Sequence, residues 1–160
     1  MKARPYAAVL AGLLMAGAAH ADQASQIRAE RAWIRVMPAG LPAGGYVTLH
    51  NGGDEAAALT GASSPDYAHV MLHESTTEGG MGRMKMIDKL EIPAHGKVAL
   101  APGGYHLMLM HGASEVHAGA KVPVTLQFAD GSQATVDFLA RPANAVDAGP
   151  DAAPGHAHGD

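Results

Sequence analysis

Methionine and histidine crowd into one stretch of a chain that has no cysteine. Of its nine methionines, Met71, Met81, Met84, Met86, Met108 and Met110 fall in that stretch, together with His73, His95 and His106. Methionine also fills irregular gaps in cores, so spacing says more than number. Alternate side chains of a strand face the same way. Met71 and His73 therefore share a face with His69, and His106, Met108 and Met110 share one while Leu107 and Leu109 point to the other. Cα atoms two residues apart on a strand are about 6.6 Å apart, close enough for both side chains to converge on one ion. His-x-Met thus reads as a chelating pair, held down by the leucines between.

Thioether sulfur and imidazole nitrogen together suit a soft, monovalent ion. Magnesium, calcium and manganese want oxygen, zinc sites use thiolate, imidazole or carboxylate, and blue-copper sites need a cysteine thiolate. The donor set points to Cu(I). Thioethers do not titrate, so such a site weakens only as its histidines protonate, near or below pH ~6.5.

Strands are the elements able to hold these residues. Val122, Val124, Leu126 and Phe128 alternate with polar partners as a half-buried strand, in which Pro123 belongs near the start or on an edge because it has no N–H to donate. Further strands are expected at Ala32–Val36, Gly45–Leu49, Ala57–Ala62, Ala68–His73, Met84–Ile92, Lys97–Leu100, Tyr105–His111 and Ala134–Leu139. Turn-forming residues separate them, among them Asn51-Gly52-Gly53-Asp54, Gly79-Gly80 and Pro102-Gly103-Gly104. Many short strands at this spacing indicate an all-β sandwich or barrel. Gln23–Arg31 is expected to be briefly helical, and Trp33 and Phe128 are core candidates. The segment 142–160 has almost no bulky apolar side chain and is expected to be a disordered tail.

The start reads as a secretory leader: Lys2 and Arg4, an apolar run from Ala7 to Ala19, and Ala19-His20-Ala21 as a cleavage site after Ala21. The organisation expected is signal peptide 1–21, β domain 22–141 and His-containing tail 142–160. The apolar run is short for a retained span, so no membrane insertion is expected after cleavage. Without Lys2 and Arg4 the mature chain carries 9 basic residues against 15 acidic ones, which makes nucleic acid an unlikely partner.

At this point the residues match a known family: the sequence resembles the periplasmic copper chaperones of the PCu(A)C type. Their pattern is His, ten residues, Met, twenty-one residues, His, one residue, Met, and it is met by His73, Met84, His106 and Met108. Trp33-Ile34-Arg35, Ala62-Ser63-Ser64-Pro65, Met71-Leu72-His73-Glu74 and Pro102-Gly103-Gly104-Tyr105-His106-Leu107-Met108-Leu109-Met110 also look like the family. The resemblance spans Ala29 to Leu139. It implies a cupredoxin-like Greek-key β-barrel or sandwich, and a non-enzymatic periplasmic chaperone holding one Cu(I) through those four residues. It also implies delivery to a copper-accepting protein, a cytochrome c oxidase subunit with its binuclear copper centre or another copper chaperone.

Met81 or Met86 would replace Met84 if a bulge adjoined the Gly79-Gly80 turn. Met71 and Met110 are read as a supporting hydrophobic shell, while His50, His69, His95, His111 and His117 are assigned no role. His156 and His158 form a His-x-His suited to an auxiliary Cu(II). Three other functions compete: copper sequestration for resistance, an iron or copper oxidoreductase recruiting Glu74 or Asp88, and an exported Ig-like interaction domain whose methionines are all core.

Overall fold

The computed structural model describes residues 21–38, 40–112 and 116–149. The segment expected to be a leader, as far as residue 20, and the His156–His158 motif lie outside them. A single helical turn, α1 (Gln23–Gln26), opens the domain, with the Asp22 side chain accepting the Ser25 N–H at 2.8 Å. The helix ends there instead of reaching Arg31, because from Ile27 onward buried and exposed residues alternate as a strand.

Ten strands follow: β1 (Ile27–Arg35), β2 (Ala43–Asn51), β3 (Ala57–Ser63), β4 (Tyr67–Glu78), β5 (Met81–Met86), β6 (Leu90–Ile92), β7 (Lys97–Leu100), β8 (Tyr105–Gly112), β9 (Lys121–Phe128) and β10 (Gln133–Arg141). Hydrogen-bonded neighbours run in the order β5-β4-β8-β2-β1-β10-β9-β3-β6. The outer edge of β2 is shared: Ala43–Gly45 pair with β8, whereas Val47–His50 pair with β7. The protein is all-β, and none of its described residues forms a helix long and apolar enough to cross a membrane.

The core follows from the period-two pattern. Val122, Val124, Leu126 and Phe128 of β9 are buried, as are Ala134, Val136, Phe138 and Ala140 of β10, and all pack with Ile34, Val47, Leu49, Leu107 and Leu109. Strand β3 pairs with β9 only as far as Ser63↔Thr125, so Pro123 sits on a stretch with β10 as its one partner.

Two further expectations are corrected and one, for Trp33, is refined. Met84–Ile92 is two strands, not one. The first pairs with β4 and the second with β3, with Ile87–Lys89 as the break. Trp33 is buried as expected of a core residue, in a second, smaller cluster beside the main one. Arg31 adopts a left-handed φ of 54°, the register shifts between Glu30 and Trp33, and the extra residue turns Trp33 onto the opposite face, against Tyr46. Lastly, the segment after Arg141 lies on the domain as far as Gly149: Ala148 is buried with Trp33 and Tyr46, and Arg35 Nε donates to the Ala145 carbonyl at 2.9 Å.

Leu107, between the two residues of the His-x-Met pair, is fully buried. Leu107→Ala should cost about 2–5 kcal/mol of unfolding free energy, the usual range for a buried leucine. Urea denaturation of the metal-free protein measures it.

Candidate metal centre

Strands β4 and β8 pair antiparallel from Tyr67↔Gly112 to Glu74↔Tyr105. On the inner side Leu72 faces Leu107 and Val70 faces Leu109. On the outer side His73 faces His106, Met71 faces Met108 and His69 faces Met110. A slip of one residue would send the leucines to solvent and the histidines into the core, so the apolar pairs fix the polar ones.

Strand β5 adds a third row of side chains through the Gly79-Gly80 turn, where φ is 59° and 79°. Both central residues being left-handed is the tight hairpin geometry that glycine permits. Pairing then runs regularly from Glu78↔Met81 to His73↔Met86, with no bulge. Met81 faces away from His73, Met86 lies directly opposite it, and Met84 is opposite Ser75. Met84 and Met108 are therefore both diagonal neighbours of His73, on opposite sides of it, at the roughly 7–8 Å over which long side chains still meet. An ion shared by both sulfurs has to sit over His73. Met84 and Met86 are 54% and 63% exposed, whereas Met71 and Met108 are half-buried.

The two imidazoles are held differently. His106 is 7% exposed, and its Nδ1–H donates to the Gly104 carbonyl at 3.1 Å, an oxygen that also accepts the Ser75 N–H at 3.0 Å. In the neutral ring this leaves Nε2 with the free lone pair. His73 Nδ1 is buried with no hydrogen-bond partner. An orphaned polar atom of this kind costs about 1–3 kcal/mol, and a metal ion would relieve it. Desolvation, and secondly the neighbouring His106, hold the His73 pKa below its usual value, which keeps the ring neutral and available as a ligand.

The ring centres of His73 and His106 are 5.7 Å apart. With metal–nitrogen bonds of about 2.0–2.1 Å, and so about 3.2 Å from ring centre to metal, that separation permits one ion between them at an angle of roughly 125°. Among the described residues no three His, Asp or Glu side chains gather as a metal site. Glu74 pairs with Lys85 at 3.0 Å on the face away from His73, so it completes no His–His–carboxylate set there. His50 and His95 are bonded to Glu30 and Asp54, each at 2.8 Å.

A contact that sequence parity missed lies further along the outer face. His111 should point inward with Leu109, but its backbone is left-handed (φ 53°), and its ring meets His69 edge-on at 5.8 Å.

Solved structures share this architecture. The chain superposes on the apo PCuAC domain of PmoF2 with a TM-score of 0.63 at 24% identity, covering 76% of this chain and 94% of that one. It matches apo-DR1885 from Deinococcus radiodurans with a TM-score of 0.58 at 32% identity, over 89% of this chain and 94% of that one. CuI-DR1885 matches with a TM-score of 0.56 at 34% identity, over 74% and 78%. The fold is thus a cupredoxin-like β-sandwich of the PCuAC type. Residues 27–140 match the LpqE-like lipoprotein family. Over 115 residues, 71% of this chain and 69% of that one, the sequence is 36% identical to lipoprotein Lxx21020 of Leifsonia xyli subsp. xyli. The chain belongs to the LpqE-like family.

Because folding lowers the His73 pKa, the unfolded chain binds the proton first as pH falls. Stability is therefore at its full value above pH 6.5 and is lost from there down to the depressed folded pKa. His50, lowered by desolvation and then by Arg28 and Lys97, adds a change of the same sign. Urea midpoints of the metal-free protein should fall from pH 7.5 to 5, and His73→Asn should flatten part of that fall.

Proposed function

We propose that this protein is a copper carrier of the cell envelope. It binds one Cu(I) through His73, Met84, His106 and Met108 and passes it by ligand exchange to another copper protein, towards the binuclear centre of cytochrome c oxidase. The observation that carries this reading is the pair of imidazoles, one with an unpartnered buried Nδ1, flanked on both sides by thioethers in a chain without thiols. DR1885, solved with Cu(I), supports it at 34% identity.

The geometry divides the labour. His106 is locked by Gly104, and Met108 stands on a strand anchored by Leu107 and Leu109, so these donors hold the ion in place. Met84 stands on an exposed hairpin strand. Its sulfur is the donor that can let go first and admit an acceptor's ligand, with no change of oxidation state and no proton transferred. An accessible thioether favours delivery over long-term storage, and a cargo site of this kind needs no turnover.

Export rests on the leader ending at Ala21 and on relatives named as lipoproteins. None of these 160 residues is a cysteine, so a lipid bonded to cysteine sulfur has no attachment point among them, and the periplasm is the proposed location. His156 and His158 are proposed as an auxiliary Cu(II) site.

Three measurements test the reading. His106→Ala with Met108→Ala should abolish tight Cu(I) binding in competition with a chelator while the far-ultraviolet spectrum stays native, and X-ray absorption of the loaded wild type should show sulfur beside copper. A loaded protein with only nitrogen and oxygen neighbours refutes the site. Met84→Ala should weaken Cu(I) binding at least tenfold, about 1.4 kcal/mol, and more than Met86→Ala does; the reverse order would move the fourth ligand to Met86.

A further inference from the structure

The outer face of β4 and β8 does not end its donor pattern at the site just described. Successive rows carry His73 with His106, Met71 with Met108, and His69 with Met110, each about 6.6 Å from the next. The last row gains a third donor, because the His111 ring, which regular alternation would send inward, stands edge-on to His69 at 5.8 Å.

We propose that His69, Met110 and His111 form a second, more exposed Cu(I) site. Its distance geometry matches the first: ring centres 5.8 Å apart against 5.7 Å. The same bond lengths allow one ion between the two imidazoles at roughly 130°, an angle suited to a three-coordinate ion. Met110, directly opposite His69 and half-buried, supplies the thioether that selects the monovalent state. Both histidines are exposed, so an ion can enter from solvent or from a donor protein.

The left-handed φ of 53° at His111 is unusual for a residue with a Cβ. It is what turns the ring out of line with Leu109 and towards His69. Backbone held in such a region tends to mark functional positions, and here it delivers a metal-binding side chain to a row of donors. Met71 and Met108 occupy the row between the two histidine pairs. A Cu(I) bound at the outer site therefore has thioethers within one row in the direction of His73 and His106, and moves between sites by exchange of ligands alone.

The choice of copper rests on the function proposed above, but the site itself does not. The test is anaerobic Cu(I) titration against bicinchoninate, using the full chain with His156→Ala and His158→Ala in every sample to silence the tail. Asparagine tolerates the left-handed backbone, so His69→Asn with His111→Asn removes both imidazoles without straining the strand; thermal melts check the fold. The expected result is two equivalents for the unaltered domain, the second weaker. One equivalent should remain in the His69/His111 variant, and one, the weaker, in a His73→Ala, His106→Ala variant. One equivalent in the unaltered domain, lost only on changing His73 and His106, overturns the second site and leaves the carrier function standing. A second equivalent that survives His69→Asn with His111→Asn overturns it as well. No binding at all refutes both.

Discussion

Everything at the candidate centre depends on one strand register. Leu72 against Leu107 and Val70 against Leu109 lock β4 to β8 from the core side. Each buried leucine contributes about 1.5–3 kcal/mol relative to exposure, and a slip of one residue forfeits all of them at once. His73 opposite His106 and Met71 opposite Met108 are then consequences on the other face. No polar interaction is required to bring the two imidazoles together, so the arrangement follows from the strand register alone.

That preorganisation has an electrostatic condition. Two histidines 5.7 Å apart at their ring centres, one almost fully buried, are tolerated side by side only while at least one is neutral. Desolvation holds His73 in that form, and no carboxylate on the same face of β4 and β5 restores its charge. A neutral imidazole and an uncharged thioether together suit a monovalent ion, since the bound complex carries a single charge at a partly exposed surface. The exposed β5 hairpin adds the complementary property. Its methionines are exposed and can change position without disturbing the core, whereas His106 and Met108 stand on a strand fixed by the buried Leu107 and Leu109.

The face next to this one is organised by a local irregularity. At Arg31 the extra residue in β1 turns Trp33 away from the main core and onto Tyr46, and Arg35 stacks over both rings at 5.5 Å. The segment up to Gly149 closes over this patch through Ala145 and Ala148. Strand β2 links the two regions: Tyr46 packs on Trp33, and Gly44, two residues earlier, pairs with Met108. A Cβ at Gly44 would meet the Tyr46 hydroxyl at 2.6 Å, so any larger residue there would displace the Tyr46 ring from its place beside Met108.

What the sequence by itself determined is whatever obeys a period of two. The shared outer face of His106, Met108 and Met110, the leucines behind it, the buried faces of β9 and β10 and the all-β class were legible because one strand's alternation needs no knowledge of its neighbour. The absence of thiols likewise set the kind of metal chemistry available. Tertiary structure decided what depends on pairing or on a single backbone angle. Only the β4–β5 register tells Met86, opposite His73, from Met84, diagonal to it, and only the partners of β5 and β6 show that Met84–Ile92 is two strands. The reversal of Trp33 and the approach of His111 to His69 each turn on one left-handed residue, Arg31 and His111. Arginine does not announce that conformation and histidine only tolerates it better than most, so one strand's sequence does not reveal it.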